Sequence, residues 1–328
     1  MKLLAVLVAA MLVLAVAGYA ALELSPWPAA LVYRVFMDRG GDKLSRGLAK
    51  HVPAGIATIA DERYDANDVD ALLDVHYPAK ASGPLPTVVW VHGGGWVSGS
   101  KNQVGNYLKI LAARGFTAVG VDYSLAPAST YPTPVRQTNA ALAYLVRNAA
   151  RLHVDPDLLF LAGDSAGAQI VAQVANSVSV PSYAKAIGVA PSITRAQLRG
   201  VILYCGPYEA RVSKAQGWFG HFVRTLMWSY SGSRDAAAEK LGPEFSVTGF
   251  ITRDFPPAFI SAGNGDPLLP QSYALARALA GHGARVDALF FPENMRPALP
   301  HEYQFDLDTA AGQQALVRSL GFLSAAAR

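Results

Sequence analysis

"LLFLAGDSAGAQ", residues 158–169, decides how the rest of this chain is read. Its first half is apolar on successive residues, the mark of a strand buried on both faces of a sheet. A helical pattern then runs over 166–179. Between them sits Gly163-x-Ser165-x-Gly167, a spacing that suits a sharp strand-to-helix turn with Ser165 held out at the carboxyl edge of the sheet. The small neighbours are what so strained a backbone needs. The next amide, Ala166, falls at the helix N-terminus, where an orphan N–H and the helix dipole both favour an anion. So short a pattern arises by chance as well. It carries weight only if the chain also supplies a base, an orienting acid and further anion-binding groups.

Working outward, apolar runs mark candidate strands at 71–77, 87–92, 117–123, 158–163, 200–205, 257–263 and 286–291. Helical patterns lie between them near 103–114, 135–152, 166–179, 270–282 and 306–326. Such alternation predicts an α/β architecture with a mostly parallel, doubly wound sheet. Two regions break the rhythm. Residues 23–69 precede the first strand and read as an N-terminal lead-in or cap. Residues 206–256 separate two strands by more than a normal crossover. They are rich in aromatics (Trp218, Phe219, Phe222, Trp228, Tyr230), which predicts a cap inserted into a catalytic domain spanning 70–328.

"HGGGWVSGS" (92–100) follows the strand at 87–92 and permits two readings. Gly93, Gly95 and Gly99, with Asp122 at the end of the next strand, resemble a dinucleotide-phosphate cradle. The spacing departs from that fingerprint, the acid comes late, and "SGSKNQ" rather than a helix follows. The other reading is an oxyanion hole, in which backbone N–H groups meet the charge of a tetrahedral intermediate. Glycines allow that close approach.

The second reading demands a base and an acid after later strands. Of seven histidines, His51 precedes the sheet, His76 lies in a strand and His153 precedes the serine strand. His221 falls in the cap, and His282 in a turn on the opposite side. His92 holds the shape of the glycine turn. His301, in "PALPHEYQF", follows the last strand. Asp266, in "FISAGNGDPLLP", follows the strand before it. Asp254 and Asp287 sit at the wrong strand ends, while Glu293 and Glu302 remain weaker alternatives. Ser165, Asp266 and His301 thus come in the chain order expected of an α/β-hydrolase.

With these blocks in view, the chain resembles the hormone-sensitive-lipase-like carboxylesterases. The resemblance rests on "HGGGW" (92–96), "VDYSLAP" with "YPTPVRQ" (121–137), "DPDLLFLAGDSAG" (155–167), "GNGDPLLP" (263–270) and "PHEYQF" (300–305). It implies an α/β-hydrolase fold with a helical cap and a catalytic triad of Ser165, Asp266 and His301. It also implies oxyanion donors at Gly94, Gly95 and Ala166, a short- to medium-chain carboxylic ester as substrate, and neither cofactor nor metal. Arylformamides and acetylated or feruloylated polysaccharides would suit the same triad. A non-catalytic ligand-binding member of the fold would normally lack a triad residue, and none is lacking here. Trp96 stands where many members have Phe, and "GDSAGA" where "GDSAGG" is commoner.

Composition bounds the remaining choices. The 328 residues are 52% hydrophobic and 16% charged, with a net charge of +4 spread along the chain and a single cysteine, Cys205. No basic cluster invites nucleic acid, and one cysteine forms neither an internal disulfide nor a cysteine zinc site. Oligomeric state is not legible. After Lys2, Leu3–Leu22 carry no charge, a length that crosses a hydrocarbon core as a helix. Residues 1–22 are therefore read as a signal anchor with the catalytic domain outside the cytoplasm. "AVAG" (15–18) offers a cleavage site for the alternative, a secreted protein.

Overall fold

The computed structural model describes residues 2–234 and 241–328, so a short part of the expected cap insertion at 206–256, and Met1 of the expected anchor, lie outside the described residues. Among the described residues the seven apolar runs and one further strand, β1, form one sheet of eight strands: β1 (Ile56–Arg63), β2 (Leu72–Pro78), β3 (Leu85–Val91), β4 (Thr117–Val121), β5 (Val154–Asp164), β6 (Leu198–Tyr204), β7 (Ala258–Ser261) and β8 (Val286–Leu289). The helices are α1 (Lys2–Leu24), α2 (Trp27–Leu48), α3 (Lys101–Ala112), α4 (Thr133–Arg147), α5 (Ser165–Ser179), α6 (Pro181–Ile187), α7 (Gly217–Ser231), α8 (Leu269–Gly281) and α9 (Ala310–Ala326). The strand order is β1-β2-β4-β3-β5-β6-β7-β8. The β1–β2 and β2–β4 pairs are antiparallel and all others parallel.

Successive strand residues point to opposite faces, and here both faces are covered. Val89, Val91, Leu159, Leu161, Val201 and Leu203 enter a core shared with α4, α5 and α8. Val88, Trp90, Phe160, Ala162, Ile202 and Tyr204 enter a second core with α3 and α9. This double burial is why the strands read as unbroken apolar runs. The two edge strands, β1 and β8, are the exceptions, with mostly part-exposed or exposed side chains, and β1 was not legible within the lead-in.

The parallel register fixes where chemistry collects. Val91 at the end of β3 lies beside Gly163 of β5, and Tyr204 of β6 lies beside both Asp164 and Ser261. The glycine turn, the serine turn and the loops after β7 and β8 therefore leave one edge of the sheet together.

Two helices frame that edge. α2 is stitched to the segment after the glycine turn: Arg34 Nε donates to the Val97 carbonyl (2.5 Å) and Nη2 to the Ala126 carbonyl (2.9 Å). Asp38 Oδ1 accepts from Ser98 Oγ (2.8 Å) and from the Gly99 amide (3.0 Å). α7, in the aromatic insertion, meets α2 where Phe222 sets its edge against Tyr33 at 4.9 Å. Trp96 of the glycine turn stacks on Tyr230 of α7 at 4.7 Å. Before α2 stands α1, with 23 residues a rod of about 35 Å, none of it buried, and long and apolar enough to cross a membrane.

Candidate active site

The serine turn is held by close packing. At Gly167 an added Cβ would lie 2.0 Å from the Val91 carbonyl oxygen, so only glycine lets α5 begin this near β3. The preceding Ser165 takes φ +49°, a left-handed conformation that non-glycine residues adopt under constraint. It sets Oγ 3.0 Å from His301 Nε2. His301 Nδ1 lies 2.9 Å from Asp266 Oδ2. Asp266 is fixed in turn, its Oδ1 accepting the Leu268 amide at 2.7 Å. An ionised Asp266 only accepts, so neutral His301 carries its proton on Nδ1 and presents a bare Nε2 to the serine hydroxyl. The three residues named from sequence thus stand in one hydrogen-bonded chain, with the Asp266 side chain fully buried and that of His301 34% exposed.

Charge around His301 is balanced against burial. Burial opposes its protonation, but an anionic Cys205 and the Asp266 carboxylate oppose burial, and the outcome is raised well above the ordinary histidine value. Burial pushes the Cys205 thiol up to about 11, so near neutral pH it is uncharged and Asp266 is the anion that acts. Cys205, Asp266 and His301 place donor atoms within 4.8 Å of one another. A soft divalent ion would fit that spacing only by breaking the histidine–aspartate bond and deprotonating the thiol.

The glycine turn passes beside Ser165. Gly94 takes φ +99°, and an added Cβ there would strike the Ser98 carbonyl at 2.1 Å. Among the described residues the Gly94 and Gly95 amides have no acceptor within the protein, and as the second residue of α5 Ala166 has no intrahelical acceptor. Gly93 is different, since its amide donates to Asp164 Oδ2 at 2.8 Å. The other oxygen, Oδ1, accepts from Trp90 Nε1 at 2.7 Å. Asp164 therefore bridges the glycine turn, the core of β3 and the serine turn. Burial, reinforced by the negative charge of Glu302, raises its pKa to about 7 against the pull of Trp90, His92 and Gly93. This bridge was missed in the sequence, where Asp164 stood inside the serine motif with no visible partner.

The dinucleotide alternative loses its acid to the fold. Asp122 Oδ1 accepts the Lys101 amide at 2.6 Å, at the start of α3, instead of facing a ligand. His92 stacks on Tyr123 at 4.3 Å and bonds the Gly93 carbonyl at 2.8 Å, holding the loop as the sequence suggested. His76 pairs with Thr58, and His51 with Asp308 on the surface.

A cavity of about 770 Å³ opens onto this edge, bounded by Gly94, Gly95, Ser165 and His301 on the sheet side. Met37 and Gly41 of α2, with Phe219, Phe222 and Leu226 of α7, form its other wall. A mostly apolar chamber with a few convergent polar groups is the usual form of a small-molecule site.

Comparison with known proteins agrees with this architecture. Residues 88–298 match the sequence model of a family described as alpha/beta hydrolase fold. The chain is similar in structure to esterase B from Lactobacillus rhamnosis, with a TM-score of 0.79, 24% identity, and coverage of 92% of this chain and 96% of that one. It is also similar to an esterase from Pyrobaculum calidifontis (0.72, 21% identity, 91% and 94% covered) and to esterase LipW from Mycobacterium marinum (0.72, 24%, 91% and 90%).

Proposed function

Since the chain belongs to the α/β-hydrolase fold family, in its hormone-sensitive-lipase-like branch, we propose that it is a serine carboxylesterase working through an acyl-enzyme. The observation that carries the reading is the Ser165–His301–Asp266 chain, with bonds of 3.0 and 2.9 Å, facing a cavity beside amides that lack acceptors.

In this reading Ser165 Oγ attacks the ester carbonyl while His301 Nε2 takes its proton. Asp266 holds the ring in the right tautomer and stabilises the imidazolium. The carbonyl oxygen becomes an anion facing the Gly94, Gly95 and Ala166 amides, each such donor contributing on the order of 3 kcal/mol. His301 then gives its proton to the leaving alkoxide. Water, deprotonated by the same nitrogen, adds to the acyl-serine; the acyl–Oγ bond then breaks, His301 returns the proton to Ser165 Oγ, and the acid leaves. Burial of the aromatic and aliphatic wall supports a short- to medium-chain acyl or alcohol group in the chamber. Residues 70–328 act as the catalytic domain, with 23–69 and 206–256 as its cap. α1 anchors it to a membrane with the catalytic domain outside the cytoplasm.

Ser165→Ala tests the assignment directly. It is expected to abolish hydrolysis of p-nitrophenyl butyrate and covalent labelling by a fluorophosphonate, with the melting temperature unchanged. A folded variant that still turns over the ester would overturn the assignment.

A further inference from the structure

The exposed face of α2 changes character along its length. Trp27, Leu31, Val32, Val35 and Phe36 all point outward, and Phe36 is 65% exposed. They fall at helical spacing on one stripe, while Ala30, Tyr33, Arg34, Met37 and Asp38 turn toward the body. Beyond them the outward residues become Arg39, Lys43 and Arg46, with Asp42 among them engaged by Gln103. Trp218 of α7 is also 75% exposed. It stacks on Phe222, which in turn meets Tyr33 of α2. Contiguous exposed apolar side chains of this kind mark a docking face.

We infer that this face lies on the surface of the membrane that α1 enters, so that the cavity takes esters dissolved in that bilayer. Three observations select a bilayer as the occupant. First, the stripe is continuous with α1: only Ser25 and Pro26 separate the two helices. Arg234, near the end of α7, bonds the Glu23 carbonyl at 2.7 Å and its carboxylate, so the exit of α1 is tied to the cap. Second, an apolar stripe giving way to Arg39, Lys43 and Arg46 suits a helix passing from acyl chains to anionic headgroups. An exposed tryptophan at that level suits the interface. Third, the docking face and the cavity share a rim, because Trp218, Phe222, Met37 and Gly40 line the chamber as well. A substrate with a long apolar tail then moves from bilayer to Ser165 without crossing water.

The inference rests on the esterase reading, and its test separates the two. The full chain is reconstituted into phosphatidylcholine–phosphatidylglycerol vesicles. It is assayed on p-nitrophenyl acetate in water and on p-nitrophenyl palmitate dissolved in the bilayer. The triple variant Val32→Ser, Val35→Ser, Phe36→Ser keeps α1 and every cavity residue. It is expected to float with the vesicles and hydrolyse the acetate at the wild-type rate, but the palmitate at least about tenfold more slowly. Equal rates of both proteins on the palmitate, or equal losses on both esters, would overturn the inference. So would a shift in oligomeric state with no change in palmitate hydrolysis, which would make the face a contact between copies of the chain. In a Trp27→Phe background, brominated phosphatidylcholine should quench fluorescence that a further Trp218→Phe change removes; no such quenching refutes docking. A wild-type chain inactive on both esters strikes the esterase reading instead, and the quenching result still decides the docking.

Discussion

Replacing Asp266 by asparagine isolates what the buried carboxylate does. The amide side chain has nearly the same volume, and its oxygen can keep the 2.7 Å bond from the Leu268 amide, so the fold should be undisturbed. At the other position an N–H₂ replaces the oxygen that lies 2.9 Å from His301 Nδ1. Two losses follow. The carboxylate no longer stabilises the imidazolium: with the ring charge centred about 4 Å away and an effective dielectric of about 20, that is about 4 kcal/mol. At about 1.36 kcal/mol per tenfold this alone is about a thousandfold in rate. The new amide also donates to Nδ1, so the remaining ring proton moves to Nε2 and faces the Ser165 hydroxyl it should be receiving from. A further factor of about ten is a modest allowance for that inverted tautomer. The expected result for Asp266→Asn is a fall in kcat on p-nitrophenyl butyrate of roughly 10³–10⁴ with KM little changed, and an unaltered melting temperature. Retention of activity within about tenfold, in a folded variant, would refute the role given to Asp266.

Other consequences are equally direct. In the proposed mechanism only neutral His301 accepts the serine proton, so kcat/KM should fall as pH drops through its pKa; burial lowers that pKa and Asp266 raises it, so Asp266→Asn should move the acid limb of the pH–rate profile to lower pH, and an unmoved limb would contradict the geometry. Asp164 holds its proton more tightly folded than unfolded, so its stabilising contribution is complete below 3.8 and is lost as pH rises through about 7. Denaturant titrations of Asp164→Asn at a series of pH values across that window should show a flatter stability profile than wild type. Gly167→Ala drives a Cβ against the Val91 carbonyl and should cost about 3 kcal/mol or more, seen as a lowered unfolding midpoint together with lost esterase activity. Cys205, buried and with its thiol pushed up to about 11, should resist iodoacetamide in the native protein and react once the chain is unfolded; rapid native labelling would show the site more open than described.

Much of this molecule was legible because burial on both faces of the sheet leaves a plain mark. The central runs at 88–91, 158–162 and 201–204 are apolar residue after residue, and strand ends located the serine, aspartate and histidine. β1 escaped because an edge strand needs little apolar surface, and "IATIADER" offers none that is continuous. α2 escaped for another reason. Its outward stripe is as apolar as an inward one in its first half, so the usual contrast between faces is absent. α7 was seen only as an aromatic insertion, without its helix. Asp164 shows a deeper limit. Its partners are the Trp90 indole and the Gly93 amide, 74 and 71 residues away in sequence, and no local pattern signals a carboxylate that works by joining distant segments.

That carboxylate also bears on how such an enzyme can diversify. With one oxygen on the Gly93 amide and the other on Trp90, Asp164 acts as a rigid gauge between the turn of the proposed nucleophile and the loop proposed to receive the oxyanion. The spacing between attacker and anion site is set once, during folding, and no part of that reorganisation is left for the moment of reaction. The wall contributed by α2 and α7 stands outside this gauge. Substitutions at Phe219, Phe222 or Leu226 can therefore retune which ester fits while the interval across which its carbonyl is attacked stays constant.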